Sequence, residues 1–214
     1  MASQIAHIIY DNSFFKKIEK SGISGLILPA EKLNREEFIL GSVFPDVRRI
    51  DNSIKRRDTH MHFTLIDLDF SGLTSFEAGW KFHLYCDMRR EEILNKYKFY
   101  DLENTSDFYG HPAKILEDEL VYDDYNNWEK MSLYLKNPPF HPVLDSVNED
   151  TYRLWYAMIS RYVERKPDDA TMRTFLLKQV NLDAKINLLV EHVGKIRKNK
   201  KAKEILLKIK EEII

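Results

Sequence analysis

The sequence predicts an all-α fold: a multi-helix bundle with polar residues of the metal-ligand type in its core and short irregular connections. Three observations predict it. Apolar residues recur at helical spacing through most of the 214 residues. The one stretch with some alternation, Thr64 to Gly72, is too irregular for a strand. The central periodic stretch, Phe76 to Arg90, places His83 and Asp87 on the face that also carries Phe76, Trp80 and, further on, Leu94. Burying an imidazole and a carboxylate without a partner is costly. A shared metal ion offsets that cost, and His-x-x-x-Asp on a helix is a sound ligand pair for one. The plainer reading is a hydrogen bond between His83 and Asp87 across one turn.

Composition narrows the function classes. Hydrophobic residues at 43% and aromatics at 12% suffice for a real core. Lys+Arg number 33 against 34 Asp+Glu, so no global field argues for nucleic acid or an anionic membrane. The single cysteine, Cys86, excludes an internal disulfide and thiolate metal clusters, and packing explains it best. No basic-then-apolar leader opens the sequence and no run reaches membrane-spanning length, which points to a cytoplasmic protein. Two parts are expected: a metal-site helical portion over 1–145 and amphipathic helices over 146–214, packed together as one domain.

In chain order, Ile5, Ile8, Ile9 and Phe15 give a helix from Ser3 to Lys20 with Ser3 as cap, and His7 lies within it. A turn around Ser21, Gly22 and Gly25 leads to Leu26–Pro29. Glu36 to Gly41 reads as a short helix ending at glycine. Phe44-Pro45-Asp46 then breaks an apolar approach, and the proline holds Asp46 at a defined point beside the core. A turn or cap role is the ordinary alternative for that aspartate. The basic segment Arg48–Arg57 reads as a loop. In Thr59-His60-Met61-His62, the two histidines share a face only if the segment is extended; in a helix they diverge and at most one ligates.

Ser75 opens the central helix, which runs to about Tyr97. A loop over 100–111 ends in Gly110-His111-Pro112, so a helix starts at His111 and runs to about Tyr125, with Glu117 or Asp118 placed to rejoin His111. A short helix spans Trp128–Lys136, closed by Asn137-Pro138-Pro139, and His141 has no assigned role. Glu149–Glu164, Asp168–Val180, Asp183–Lys198 and Lys200–Ile214 are amphipathic, and the basic cluster from Lys195 to Lys203 reads as a solvated helix end.

His7, Asp46, His60, His83 and Asp87 come from at least four segments, as core-facing ligand sets do in helical metalloproteins. Mixed imidazole and carboxylate ligands suit zinc, iron or manganese better than calcium. More than four candidates suggest two ions, and paired ions suit phosphoester hydrolysis.

The order and spacing of these residues resemble the zinc-dependent phospholipase C family and its relatives, the fungal-type single-strand nucleases. The resemblance covers roughly residues 5–125. It implies an all-helical hydrolase with His7, Asp46 of Phe44-Pro45-Asp46, His60, and His83 with Asp87 as ligands, and His111 with Glu117 or Asp118 standing for the last part. The chain departs from that family in two ways. Secreted members use the free amine of the mature chain, whereas no leader is seen here. The later His-x-x-x-Glu element is missing, since Ile115 stands four residues after His111. One or two ions are therefore expected rather than three. The HD-type metal phosphohydrolases, also all-helical, rank second, because none of the seven histidines is followed by aspartate.

Two functions follow from these readings. The first is a metal-dependent phosphoester hydrolase using a metal-activated water, with zinc the leading ion and Asp46, His83 and Asp87 at the reacting centre. Arg48, Arg49, Arg56 or Arg57 would neutralise the phosphate of a small phosphoester or phospholipid head group. The second is a non-catalytic helical interaction protein with a structural metal or none, acting through its C-terminal helices. The apolar end (Ile209, Ile213, Ile214) leaves a homo-oligomer open.

Overall fold

Side-chain caps fix where several helices begin. In the computed structural model, which describes residues 3–21 and 33–214, the oxygen of Asn34 accepts the Glu37 N–H at the start of α2 (Arg35–Val43). Thr74 and Glu77 form a reciprocal capping box at the start of α4 (Ser75–Lys96). Asn148, Asp168 and Asn199 cap α7 (Glu149–Val163), α8 (Asp169–Leu176) and α10 (Lys200–Glu212), each side-chain oxygen accepting one first-turn N–H. The remaining helices are α1 (Gln4–Ser21), α3 (Arg56–His60), α5 (His111–Val121), α6 (Trp128–Lys136) and α9 (Ile186–Lys198). No strand occurs among the described residues, so the all-α reading holds. The turn expected at Gly22 and Gly25 and the stretch Leu26–Pro29 lie outside the described residues.

Several boundaries differ from expectation for physical reasons. The segment read as a basic loop is partly helical: Phe44–Arg49 is a 3₁₀ turn led by Pro45, and α3 follows at Arg56. The helix expected over Asp168–Val180 stops at Leu176, and Asn181 soon after is left-handed, at φ 63°. Ser3 turns its hydroxyl to Asp118.

Gly41 does not terminate its helix. It lies inside α2, where α2 crosses α4 backbone to backbone. A Cβ at Gly41 would sit 1.8 Å from the Phe76 carbonyl oxygen, and one at Gly79 would sit 1.8 Å from that of Phe38. Only glycine permits this approach. Around it Phe14, Phe38, Phe70 and Phe82 stack and tilt against one another, with ring centroids 4.7–5.9 Å apart. The C-terminal helices close on the same core. The indole of Trp155 donates to the Val43 carbonyl at 2.9 Å and the hydroxyl of Tyr156 to that of Leu40 at 2.7 Å. Ile205, Leu206, Ile209 and Ile213 are buried in the one hydrophobic cluster.

Candidate metal centre

The α2–α4 crossing aims His83. Its Nδ1 lies 2.6 Å from the Ser42 carbonyl, an acceptor only, so the ring donates there and its Nε2 carries a lone pair. His83 is fully buried, and burial, reinforced by the neighbouring His7, holds its pKa well below the ordinary value. The imidazole of His7, from α1, stacks on it with centroids 3.9 Å apart. One turn along α4, Asp87 places Oδ1 3.7 Å from His7 Nε2 and Oδ2 3.6 Å from His83 Nε2. Ligand atoms of His7, His83 and Asp87 all lie within 4.8 Å of one another. The ordinary hydrogen bond between His83 and Asp87 is not formed at 3.6 Å.

Asp46 and His60 approach from the other side. The His60 ring stands edge-on to His83, centroids 5.5 Å apart. Its Nδ1 is 2.8 Å from the hydroxyl of Thr59, whose carbonyl in turn accepts the indole N–H of Trp80 at 2.7 Å. In the tautomer whose Nδ1–H donates to Thr59, His60 Nε2 is left to ligate, and burial lowers the ring's pKa to about 4, keeping it neutral. Burial alone would raise the Asp46 carboxyl, but Arg49, together with His83, His60 and Arg48, holds it far below the usual carboxylate range. Its Oδ2 accepts from Gln4 at 3.0 Å and pairs with Arg49 Nε at 3.0 Å, while Arg48 stands 3.6 Å from Oδ1. Burial would raise the Asp87 carboxyl, but interactions with its neighbours, among them His83 and His7, hold the group well below its usual value.

The donor set fits a metal. Among the described residues, both nitrogens of His7, Nε2 of His60, Nε2 of His83 and Oδ1 of Asp46 are buried without a hydrogen-bond partner. Orphaned buried groups of this kind are expensive, and the His60 and His83 imidazoles and the Asp46 carboxylate are held in the protonation states that ligate. His7 and His83 have no exposed side-chain surface, whereas Asp87 retains 13%.

The other expected residues are placed differently. His62 is exposed and stacks on Trp80 at 4.3 Å, because α3 is a single helical turn and turns the two histidines apart. His111 contacts Arg49 at 3.4 Å, and burial with Arg49 nearby lowers its pKa to about 3. Glu117 and Asp118 do not rejoin it. Glu117 pairs with the buried Arg90 at 2.7 Å and accepts the Tyr10 hydroxyl. Asp118 accepts the Ala6 N–H at 2.8 Å and the Ser3 hydroxyl, tying the start of α1 to α5. Arg57 faces solvent and pairs with Asp58 at 3.5 Å. Three supporting residues were not anticipated: Ser42 through its carbonyl, Thr59, and Gln4. Thr59 adjoins His60 and Gln4 lies one turn before His7, so adjacency to a ligand was the available signal.

Asp118 yields a pH prediction. Burial raises its pKa to about 7, so the folded state keeps a proton that the unfolded chain loses near its ordinary value. Between those values the native state binds more protons, so this group's contribution falls as pH rises from about 4 to about 7, by roughly 4 kcal/mol. In Asp118→Asn the amide oxygen still accepts the Ala6 N–H and its nitrogen donates to Ser3. Thermal melts across pH 5–8 should therefore show a flatter profile than the parent, and superimposable profiles would refute the assignment.

No protein-family model, curated protein or solved structure matches this chain.

Proposed function

We propose that the protein is a metal-dependent hydrolase of phosphoester bonds. The observation that carries this reading is the His7–His83–Asp87 group, whose ligand atoms lie within 4.8 Å of one another, with the His60 ring beside His83 and Asp46 held by two arginines. Asp46, His60, His83 and Asp87 would hold the principal ion, with zinc the leading candidate and iron or manganese also suited to the ligands. His7 with Asp87 would hold a second ion. Such ions supply Lewis acidity, lowering the pKa of a water and neutralising phosphate oxygens. The chain itself fixes the ligands: the Ser42 carbonyl and Thr59 orient two imidazoles, and Gln4 and Arg49 hold Oδ2 of Asp46, leaving Oδ1 without a hydrogen bond. Arg48 and Arg49 bring positive charge to the phosphate's side of the centre.

The test is hydrolysis of p-nitrophenyl phosphate and bis(p-nitrophenyl) phosphate by zinc- or manganese-loaded protein. Activity should vanish with chelator, return with metal, and fall on the order of a hundredfold or more in a folded Asp46→Asn variant. Full metal occupancy without turnover of either ester would favour the alternative, a helical interaction protein with a structural ion.

A further inference from the structure

A groove of about 360 Å³ opens beside Asp46, lined by Arg48, Arg49, Lys55 and Arg56 and floored by Ile54 and Leu182. Among the described residues no carboxylate lines it. Asp46 lies behind it and is shared between Arg48 and Arg49. Asp58 is turned away, accepting the Lys55 backbone N–H at 2.8 Å and pairing with Arg57. Asp51 accepts from Ser53. Lys55 Nζ donates to the Asn52 carbonyl at 2.6 Å and forms no ion pair among the described residues, although its charge acts on nearby Asp51. Arg56 is exposed and forms no ion pair among the described residues.

Like charges crowded in this way repel one another and gain by taking an anion. The outer wall is a second constraint. The Asn181 side-chain amide donates to Asn52 Oδ1 at 2.7 Å, so two chain segments are latched across the groove by polar side chains. Of its apolar lining residues, Ile54 is buried and Val180 and Leu182 are half-buried, which leaves no exposed apolar rim for acyl chains. The volume lies at the small end of ligand sites.

We infer that this groove holds a second phosphate group of the substrate, so that the protein acts on compact, soluble phosphate esters carrying two phosphates rather than on phospholipids. One phosphate reaches the centre past Arg48 and Arg49, and the other is held by Lys55 and Arg56. This rests on the proposed hydrolase reading for the role of the centre, but the groove's anion binding stands on its own cations.

The test is calorimetric titration of pyrophosphate and orthophosphate into metal-free and metal-loaded protein, beside a Lys55→Gln/Arg56→Gln variant. Both positions are exposed, and among the described residues neither side chain has an ion pair to lose. Pyrophosphate should bind the metal-free parent about tenfold or more tightly than orthophosphate, and the double variant should lose that preference. Metal content, measured on both proteins, should be unchanged. Equal affinity for the two anions in the parent, or a preference that survives in the variant, would overturn the inference. Binding to phosphatidic acid vesicles that depends on Lys55 and Arg56 would overturn its soluble-substrate part. A protein that takes no metal yet shows the pyrophosphate preference would instead refute the hydrolase reading and leave the anion site standing.

Discussion

The His83→Ala/Asp87→Ala variant is expected to fold and to be metal-free, where the parent carries near-stoichiometric zinc, iron or manganese after reconstitution. The two side chains are two of the three ligand residues of the His7–His83–Asp87 group. Loss of an outer-shell partner alone costs about ten- to a hundredfold in metal affinity, and loss of ligands should exceed that. The fold should survive, because the substitutions also remove the buried nitrogen of His83 that has no partner without an ion. Elemental analysis with circular dichroism checks both halves. A parent that takes up no transition metal from zinc, iron or manganese solutions would remove the metal centre and the hydrolase with it.

The second large effect concerns a residue that touches no substrate. Gly79→Ala, and equally Gly41→Ala, should cost at least about 3 kcal/mol, because the added methyl meets main-chain atoms at 1.8 Å, which cannot rotate aside as a side chain would. Separating α2 from α4 would also withdraw the Ser42 carbonyl from His83. Gly194, in the middle of α9, is the control, since a Cβ there meets nothing within 4 Å. Gly194→Ala should be neutral or stabilise by up to about 1 kcal/mol. Thermal denaturation of the three variants decides the matter, and a Gly79→Ala melting point within about 2 °C of the parent would sink the argument.

The helices were legible because their periodicity is local; the caps at Asn148, Asp168 and Asn199 then fix the starts that this periodicity placed. The pairing of His83 with Asp87 was legible for the same reason: one helix carries both. His7 and His60 could be named as ligand types, but their approach to His83 depends on helix crossings that no local pattern encodes. Gly41 shows the limit. A glycine closing an apolar run resembles a helix terminator, and only the position of α4 reveals it as a contact point. Glu117 was misread because helical spacing put it near His111, while the partner that claims it, Arg90, comes from a distant part of the chain and is buried with it. The basic stretch Arg48–Arg57 was recognisable by composition, yet which of its cations share a wall depended on the short turn of α3. That turn admits Lys55 and sends Arg57 outward.

The main-chain acceptor at position 42 also shapes how the sequence can vary. Any residue at that position presents the same carbonyl, so no replacement there deletes the contact that orients His83. Tolerance to substitution is therefore displaced: the contact is indifferent to the side chain at position 42, where burial alone sets the limit, while Gly41 and Gly79, which bond to no ligand, admit no alternative. Drift in this protein should accordingly be stopped first by the spacing between two backbones, and only afterwards by the chemistry of the centre they align.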